Sequence, residues 1–532
     1  MATQLLVGGR FYSASSPDAA AMAVTDGTVV WLGAERPGRA LHPGAEIIDV
    51  DGAFVAPAFV DPHVHVTALG LKLIGLDLSA ARSLAHCLEL LTAFAAAHPS
   101  GVLLGDGWDD TGWPEQRPPS TDELDAAAGP GRLVYLSRVD VHSAAVSTAL
   151  LDGVPGVRDA AGFTRGEPLR AAAHHLVRTA ALERADRALR DRARTAALDS
   201  AAAHGVAEVH ECGGPEIAGR TDLAELLAFS HGVSVRAYWG EAVHDQDEAR
   251  ALVAELGVHA LGGDLFVDGS LGSRTALLRA PYADAGGHGV GYLDAAGVTA
   301  HVRACTLAGV QAGFHVIGDA GMDAVVDGIG LVAAELGAPA VAARGHRVEH
   351  AEMISPEQIA ALASWGVIAS VQPGFDAAWG GPDGMYATRL GAERAAALNP
   401  FAAMAAAGVA LAIGSDAPVT PLDPWAAVRD AVHHRTPGHG LSPRAAFAAA
   451  TRGAWRAGGV RDGVAGTLVP GAPASYAVWE ADELVVAAAA DSVQRWSTDP
   501  RSRVPGLPPL DPAARLPRCL RTVHRGVTIH EA

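Results

Sequence analysis

Apolar residues in the middle of the chain fall in short runs that alternate with longer helical stretches. Eight runs have the length and composition of buried strands: Val55–His65, Val206–Cys212, Val233–Trp239, Asp264–Asp268, Ala312–Ile317, Arg347–His350, Val367–Gln372 and Val409–Asp416. Strands that alternate with helices predict a parallel sheet covered by helices. Eight such units favour an α/β fold of the (β/α)8 TIM-barrel type over an open doubly wound sheet.

The spacing between the first two predicted strands is too long for one helix and its loops. About 140 residues separate them, which a single βα connection does not need. We therefore predict an insertion after the first barrel strand, at about 66–168. The strongly helical stretch Leu169–His204 then leads back into the barrel.

Both ends of the chain are predicted to be rich in β structure. Short apolar runs near the N-terminus are separated by hairpin-type turns such as Asp26-Gly27 and Asp51-Gly52, and Ser475–Trp479 and Thr522–Ile529 repeat this style. We predict one β-sandwich built from both termini, residues 1–55 plus 461–532, around a TIM-barrel hydrolase domain at 56–460. Within the C-terminal part, the Pro-rich segment Arg495–Arg515 is predicted to be a surface loop.

Composition and charge limit the kinds of molecule that this protein is expected to bind. The 532 residues are 49% hydrophobic and 19% charged, with a formal net charge of −19. An acidic chain without clustered cations argues against nucleic acid and anionic membranes as partners. No apolar run approaches the roughly 18 residues of a membrane span, and no signal peptide is recognisable. The four cysteines form no CxxC pair, so we expect a cytoplasmic protein that acts on a small molecule. A homodimer is compatible with the sequence.

The strongest local signal for chemistry is the motif Asp61-Pro-His63-Val-His65. Residues two apart on a strand point to the same face, so both imidazoles are expected to converge at the end of the strand. Such a pair supplies two ligands to a divalent metal. An accidental pair remains an alternative, because the chain contains 23 histidines.

Three further predicted strands end in side chains that can bind a metal: His315, His350 and Asp416. In a TIM barrel the carboxyl ends of the strands carry the active site. Each residue also has a structural interpretation, because a strand-end His or Asp can cap the following helix. Four strand ends with metal-binding side chains favour a metal centre over coincidence.

Several segments resemble the amidohydrolase superfamily. The segments 47–65 and Ala412-Ile-Gly-Ser-Asp-Ala-Pro418 carry the general resemblance. The resemblance to the amidohydrolase-3 branch, the YtcJ-like proteins related to N-substituted formamide deformylases, rests on Leu265–Ala276, His315-Val-Ile-Gly-Asp319, Arg347-Val-Glu-His-Ala-Glu352, Gly107-Trp108, His142, Ser442–Phe447 and Ala449–Gly453. The resemblance covers nearly the whole chain and implies a metal-bearing barrel with a sandwich formed by both termini.

The chain departs from the binuclear members of this superfamily at one position. Those members bridge two metals with a carboxylated lysine on the fourth strand, and alignment places Asp264 there. Lys72 is the only lysine in the chain and lies shortly after the His pair, so a carbamate bridge is excluded. Asp264, Glu211 or Cys212 are alternative ligands, although packing or hydrogen bonding near the site without contact to metal is the favoured interpretation. We expect about one divalent ion per chain, with zinc favoured, although Mn and Fe suit the same ligands.

The predicted reaction is hydrolysis of a C–N bond, amide or formamide-like, by a metal-activated water. His63, His65, His315, His350 and Asp416 are the predicted ligands. Asp416 is expected to move the proton from water to the departing amine, and His350 is the second catalytic candidate. Trp108, Trp113, His142 and Arg274 are candidates for substrate contact. The two tryptophans could instead pack the insertion onto the barrel, and strand alternation directs Arg347 away from His350.

Two other functions remain open at the level of sequence. Mononuclear amidohydrolases that deaminate cyclic or aromatic amines also use an HxH pair, further His and Asp, and no lysine. A barrel that has lost its chemistry could persist as a binding protein. The complete set of His and Asp residues argues against that second alternative, because a binding protein has no need of an acid beside a His cluster.

Overall fold

The computed structural model describes residues 3–486 and 505–532. The predicted loop Arg495–Arg515 therefore lies partly outside the described residues. Within those two ranges, no helix combines the length and the apolar character that crossing a bilayer requires.

Strands and helices follow one another along the described residues. In chain order the strands are β1 (Thr3–Val7), β2 (Arg10–Phe11), β3 (Ala21–Thr25), β4 (Thr28–Gly33), β5 (Glu46–Asp49), β6 (Phe54–Pro57), β7 (Phe59–Val64), β8 (Leu76–Asp77), β9 (Leu103–Trp108), β10 (Val134–Arg138), β11 (Ser143–Val146), β12 (Leu169–Arg170), β13 (Val206–Gly213), β14 (Ser234–Trp239), β15 (Ala260–Leu261), β16 (Gly313–Val316), β17 (Arg347–His350), β18 (Ile368–Val371), β19 (Ala410–Ile413), β20 (Tyr476–Glu480), β21 (Arg518–His524) and β22 (Val527–Glu531). The helices are α1 (Glu35–Leu41), α2 (Val66–Ile74), α3 (Leu84–Ala97), α4 (Thr121–Ala128), α5 (Thr148–Asp152), α6 (Ala171–Glu183), α7 (Arg187–Ala203), α8 (Gly219–Leu227), α9 (Gln246–Leu256), α10 (Ala295–Ala308), α11 (Asp319–Leu336), α12 (Ala338–Ala342), α13 (Pro356–Ser364), α14 (Pro373–Trp379), α15 (Met385–Leu390), α16 (Ala392–Ala395), α17 (Phe401–Ala406), α18 (Pro424–Val432), α19 (Pro443–Ala448) and α20 (Ala454–Ala457), with a π-helical turn at Ala449–Gly453.

Strands from both ends of the chain share sheets and a common apolar core. One sheet has the order β4-β3-β1-β5, and the other, β2-β6-β20-β21-β22, mixes N-terminal and C-terminal strands. Leu6, Met22, Val55 and Tyr476 are buried in one cluster between them. The run Thr522–Ile529 contains the end of β21 and the start of β22, and the chain turns between them through Arg525 and Gly526, which have positive φ.

Eight parallel strands form the middle of the molecule. They pair as β15-β14-β13-β7 and β16-β17-β18-β19. Single parallel bridges, Val64 to Ala417 and Leu261 to Ala312, join the edges of these two sheets. The two bridges join the sheets in the strand order expected of the predicted barrel. Parallel strands present their carboxyl ends at one edge, which is where the site described below lies.

The residues between β7 and β13 form a sheet of their own, with strand order β12-β11-β10-β9-β8. Its core buries Leu91, Trp108, Trp113, Leu124 and Leu136. Helix α4 begins with a capping box between Ser120 and Glu123, which satisfies amide groups that the first turn leaves free. Helices α6 and α7 then occupy the stretch predicted to be helical.

Two of the eight strand predictions were wrong in their bounds. The run Val55–His65 is divided at Ala58: β6 pairs with β2 and β20 in the terminal sheet, whereas β7 pairs with β13. The fourth strand is Ala260–Leu261, not Asp264–Asp268. Gly262 and Gly263 interrupt it with φ of 154° and 69°, and a Cβ on Gly262 would lie 2.2 Å from the amide nitrogen of Gly313. The close approach to β16 therefore requires glycine, and Phe266 keeps only a single bridge, to His315.

Candidate metal centre

The strand ends bring four imidazoles and one carboxylate of the predicted ligand set into one buried cluster. His63 lies on β7, His65 follows it immediately before α2, His315 lies on β16, His350 ends β17, and Asp416 follows β19. The Nε2 atom of His65 lies 3.2 Å from Oδ1 of Asp416, and Nε2 of His63 lies 3.5 Å from the same oxygen. None of the five residues is more than 6% exposed.

Two of these residues have a backbone conformation that is rare for side chains other than glycine. The φ angles of His350 and Asp416 are 70° and 53°. At the end of β17 this conformation interrupts strand alternation, so Glu349 and His350 both face inward and both contact other histidines. Left-handed backbone at non-glycine residues is concentrated at functional sites, where the surrounding structure holds it in place.

Asp264 completes the cluster from the segment that follows Gly262 and Gly263. Its carboxylate lies 3.3 Å from Nε2 of both His63 and His65, and 3.5 Å from Nδ1 of His315. Burial would raise the pKa of Asp264, but the surrounding histidines outweigh it and hold the pKa well below its usual range. Asp264, one of the three additional ligands that the sequence suggested, is thus in contact with three of the predicted ligands.

The donor atoms of this cluster suit a divalent cation. Within the described residues, Nε2 of His63, Oδ1 of Asp264 and Oδ1 of Asp416 are buried without a hydrogen-bond partner. Two carboxylates face one another across imidazoles, and a cation between them would offset their charge. Burial would lower the pKa of His65, but Asp264 and Asp416 raise it to about 9, which shows how negative the site is. Imidazole nitrogen and carboxylate oxygen are ligands of Zn, Mn and Fe.

Glu211 and Cys212, the other two additional ligand candidates, lie at the end of β13. Glu211 accepts a hydrogen bond of 2.7 Å from the amide of Val66, and burial raises its pKa to about 7. Cys212 lies near His63 and Glu349, but burial raises the pKa of its thiol to about 12. A bound divalent ion would itself deprotonate a coordinating thiol, and the Sγ atom of Cys212 lies within 4.8 Å of ligand atoms of His63 and Glu349. Cys212 therefore stays an alternative ligand, whereas Glu211 is engaged by the amide of Val66.

A buried ion pair between Arg347 and Glu349 contacts the His63 ring at its Nδ1 atom. Oε2 of Glu349 lies 3.0 Å from Nδ1 of His63, and Arg347 donates to both oxygens of Glu349 at 2.9 and 2.8 Å. Burial would raise the pKa of Glu349, but the Arg347 guanidinium and His63 lower it to about 2. An anionic Glu349 fixes the His63 ring with its Nε2 atom towards the cluster. Arg347 does not face the cluster directly; it acts through Glu349.

His350 is held by neighbours on both ring nitrogens. Its Nδ1 atom lies 2.8 Å from Oε1 of Gln372, and its Nε2 atom lies 2.9 Å from Nδ1 of His315. Burial and the charge of His315 lower the pKa of His350 to about 3, so its imidazole is neutral. Gln372 was not among the predicted site residues, although it follows β18 directly and strand ends are where the histidines were predicted to meet.

Two cavities adjoin the cluster. The larger, about 260 Å³, lies between the strand ends and the inserted sheet; His65, Asp264, His315 and Asp416 line its inner end. The smaller, about 30 Å³, lies on the other side of His315 and His350 and is also lined by Asp416. The cluster is therefore reachable from a cavity that can hold a small molecule.

The structure separates the four candidates for substrate contact. His142 lines both cavities, with its ring 5.2 Å from that of His315. Trp108 and Trp113 line neither of them: their indole nitrogens donate to Leu136 and Ala81 in the core of the inserted sheet, which is the packing alternative. Arg274 is also outside both cavities, because it forms an ion pair of 2.8 Å with Asp284.

The sequence of this chain is similar to those of known amidohydrolases. The sequence profile of the amidohydrolase family matches residues 46–530. YtcJ of Bacillus subtilis (strain 168), an amidohydrolase by name, is 28% identical over 73% of this chain and 75% of its own length. The N-substituted formamide deformylase of Arthrobacter pascens is 26% identical over 79% of this chain and 82% of its own.

The fold has a counterpart among solved structures. An uncharacterised metal-dependent hydrolase of Pyrococcus horikoshii OT3 superposes with a TM-score of 0.70 over 90% of this chain and 98% of its own, at 23% identity. The profile match spans most of the sequence and includes all the strand-end residues of the cluster. The chain therefore belongs to the amidohydrolase family.

Proposed function

We propose that this protein hydrolyses a C–N bond, amide or formamide-like, of a small molecule on a (β/α)8 barrel. The observation that carries the proposal is the buried cluster of four imidazoles and two carboxylates at the inner end of the larger cavity. The similarity to an N-substituted formamide deformylase supports the bond type, since that is the bond the relative's name describes.

We propose that His63, His65, His315, His350 and Asp416 hold one divalent ion, for which zinc is our first choice, with Asp264 as a further ligand. Donor atoms of His63, Asp264 and His350, and likewise of His63, His65 and Asp416, lie within 4.8 Å of one another. A bound ion would supply Lewis acidity, which polarises the scissile carbonyl and makes water acidic enough to attack near pH 7. Glu349 keeps the His63 ring oriented for this role. One ion is proposed because the chain has no lysine other than Lys72, and Lys72 forms an ion pair with Asp106.

Asp416 is the proposed proton carrier. Its Oδ1 atom has no hydrogen-bond partner among the described residues, and the residue lines both cavities. A carboxylate at this place can accept a proton from the attacking water and donate it to the departing nitrogen. His350 is neutral, and its Nδ1–H donates to Oε1 of Gln372. The lone pair of its Nε2 atom is then available, so His350 fits the role of a ligand better than that of a donor to the carbonyl oxygen.

The test combines elemental analysis with a substrate panel on the same preparation. The panel contains N-substituted formamides, N-acyl amines, and cyclic or aromatic amines, with metal-stripped protein and the Asp416→Asn variant as controls. We expect amine release from a formamide or amide that requires both the metal and Asp416. Ammonia release from the aromatic amines alone would favour a deaminase instead. No turnover of any compound by fully metal-loaded protein would favour a non-catalytic binding protein.

A further inference from the structure

Several charged side chains in the wall of the larger cavity form ion pairs within the protein. Lys72 lies 3.0 Å from Asp106, Arg190 lies 2.9 Å from Glu225, and Asp222 lies 2.6 Å from Arg194. Much of the remaining wall is apolar and includes Leu71, Leu104, Leu182, Ile217 and Phe266. A substrate therefore meets a largely apolar wall in which Lys72 and Arg190 are already paired, while the carboxylates of Asp264 and Asp416 lie at the inner end of the cavity.

Arg178 on α6 is the exception among the cationic residues of this wall. Its Nε and Nη2 atoms donate to the carbonyl oxygen of Glu216 at 3.2 and 2.6 Å, and Nη1 donates to that of Val141 at 3.4 Å. Within residues 3–486 and 505–532 no carboxylate lies within 4 Å of it. The carboxylate of Glu216 is instead 2.7 Å from Nδ1 of His175.

The guanidinium of Arg178 is thus held in place by backbone and retains hydrogen-bonding capacity. A guanidinium has five N–H groups, and the three bonds to carbonyl oxygens leave two of them without a partner among the described residues. Val141 is followed in the chain by His142, whose ring lies 5.2 Å from that of His315 in the cluster. The positive charge and the metal ligands therefore face the same cavity.

We propose that the substrate carries a carboxylate and that Arg178 binds it, so that the enzyme prefers acidic amides with an apolar group near the scissile bond. This inference rests on the proposed function. Arginine is suited to a carboxylate because its N–H groups match the two oxygens in one plane. The fixed guanidinium reduces the entropy lost on binding. Arg178 would act as a specificity residue that contacts the substrate away from the reacting atoms.

Two matched pairs of compounds test the preference and also locate the carboxylate. N-formyl-leucine and N-formyl-isopentylamine differ by a carboxylate on the amine side of the amide. N-isopentylsuccinamic acid and N-isopentylbutanamide differ by one on the acyl side. In each reaction water adds its oxygen to the acyl carbon, the C–N bond breaks and the nitrogen gains a proton, giving a carboxylic acid and an amine.

In at least one pair, we expect kcat/KM for the acid to exceed that for the neutral compound by roughly 10- to 100-fold. This is the factor in affinity that one hydrogen bond to a charged group contributes. Arg178→Met should remove that preference while turnover of the neutral compound is retained, and Arg178→Lys should restore part of it. Arg190→Gln is the matched control, because Arg190 lines the same wall but is paired with Glu225; this variant should keep the preference. Melting temperature and metal content verify that each variant is folded and loaded.

Binding of a product-like anion gives a readout that does not depend on catalysis. Calorimetry should detect 4-methylpentanoate more tightly than 4-methylpentanamide on the wild type, and equally weakly on Arg178→Met. A wild type that prefers the neutral compounds, or an Arg178→Met variant that keeps the preference, overturns the inference and leaves the proposed function intact. If no compound is turned over, the proposed function fails. The binding experiment then tests the anion site by itself. If 4-methylpentanoate binds equally well to the wild type and to Arg178→Met, the anion site is rejected. If its binding is lost in Arg178→Met, the anion site is upheld.

Discussion

Replacing Glu349 with glutamine should weaken metal binding by about 10- to 100-fold, although Glu349 itself is not proposed as a ligand. Its carboxylate lies 3.0 Å from Nδ1 of His63 and orients the ring whose Nε2 atom faces Asp264 and Asp416. Glutamine can still accept a hydrogen bond through its carbonyl oxygen, but it lacks the negative charge that makes His63 a stronger ligand. We therefore expect the lower half of this range, and each factor of ten corresponds to about 1.4 kcal/mol.

The same change should also destabilise the metal-free protein. Arg347 is fully buried and donates to Glu349 through two of its nitrogens. Removing one partner of a buried ion pair costs about 3–5 kcal/mol, because the other charge is left without compensation. Arg347 keeps its bonds to the carbonyl oxygen of Pro62 and to Ser370 at 2.7 and 3.2 Å, so we expect the lower end of that range.

Two measurements separate these effects. Calorimetric titration of metal-stripped protein with zinc gives the affinity, and thermal unfolding of the same metal-stripped protein gives the stability without the contribution of bound ligand. Asp319→Asn is the control, because it makes the same carboxylate-to-amide change at the start of α11. There the Asp319 carboxylate accepts hydrogen bonds from the backbone amides of Arg279 and Ala320. An affinity of folded Glu349→Gln within twofold of the wild type would refute the role of Glu349 in orienting His63.

Three further predictions address the metal, the proton carrier and a buried histidine. Elemental analysis should find about one tightly bound ion per chain, and two after gel filtration would make Asp264 a bridging ligand. Asp416→Asn should lower kcat by about 10²–10⁴ with metal content and melting temperature preserved; if added metal restores the rate, Asp416 is mainly a ligand. Burial, followed by neighbouring charges, lowers the pKa of His346 to about 3 from 6.5, so its contribution to stability is complete above pH 6.5 and declines as pH falls towards 3. The unfolding midpoint of His346→Asn should therefore depend less steeply on pH in that window, and an unchanged slope would contradict this.

The order of the strands and the residues at their ends could be predicted from the sequence. Six of the eight predicted barrel strands coincide with observed strands within three residues at each end. Buried parallel strands are continuous apolar runs, and this signal is local. Because parallel strands end at one edge, the same pattern also suggested that His63, His315, His350 and Asp416 would meet. The resemblance to a known superfamily pointed to the same residues.

Predictions failed where the outcome depends on contacts between distant segments. No local pattern divides Val55–His65 at Ala58; the division follows from the pairing of β6 with β20, more than 400 residues away. Trp108 and Trp113 could have formed a lid or a core. The structure decides for the core, because the carbonyl oxygens of Leu136 on β10 and of Ala81 in the loop after β8 accept hydrogen bonds from the two indoles. That Arg178 forms no ion pair among the described residues likewise depends on where β13 and α6 place their neighbours.

The sequence by itself determined the alternation of strands and helices, the β-rich ends and the set of side chains able to bind a metal, because periodicity and turn residues act over a few positions. Only the tertiary structure decided which of those side chains share a site and how each is oriented. His63 and Glu349 are 286 positions apart in the chain, and Asp264 reaches the cluster only after two glycines let the backbone pass close to β16. Distances and burial of this kind arise from packing of the whole chain, which no short window of sequence contains.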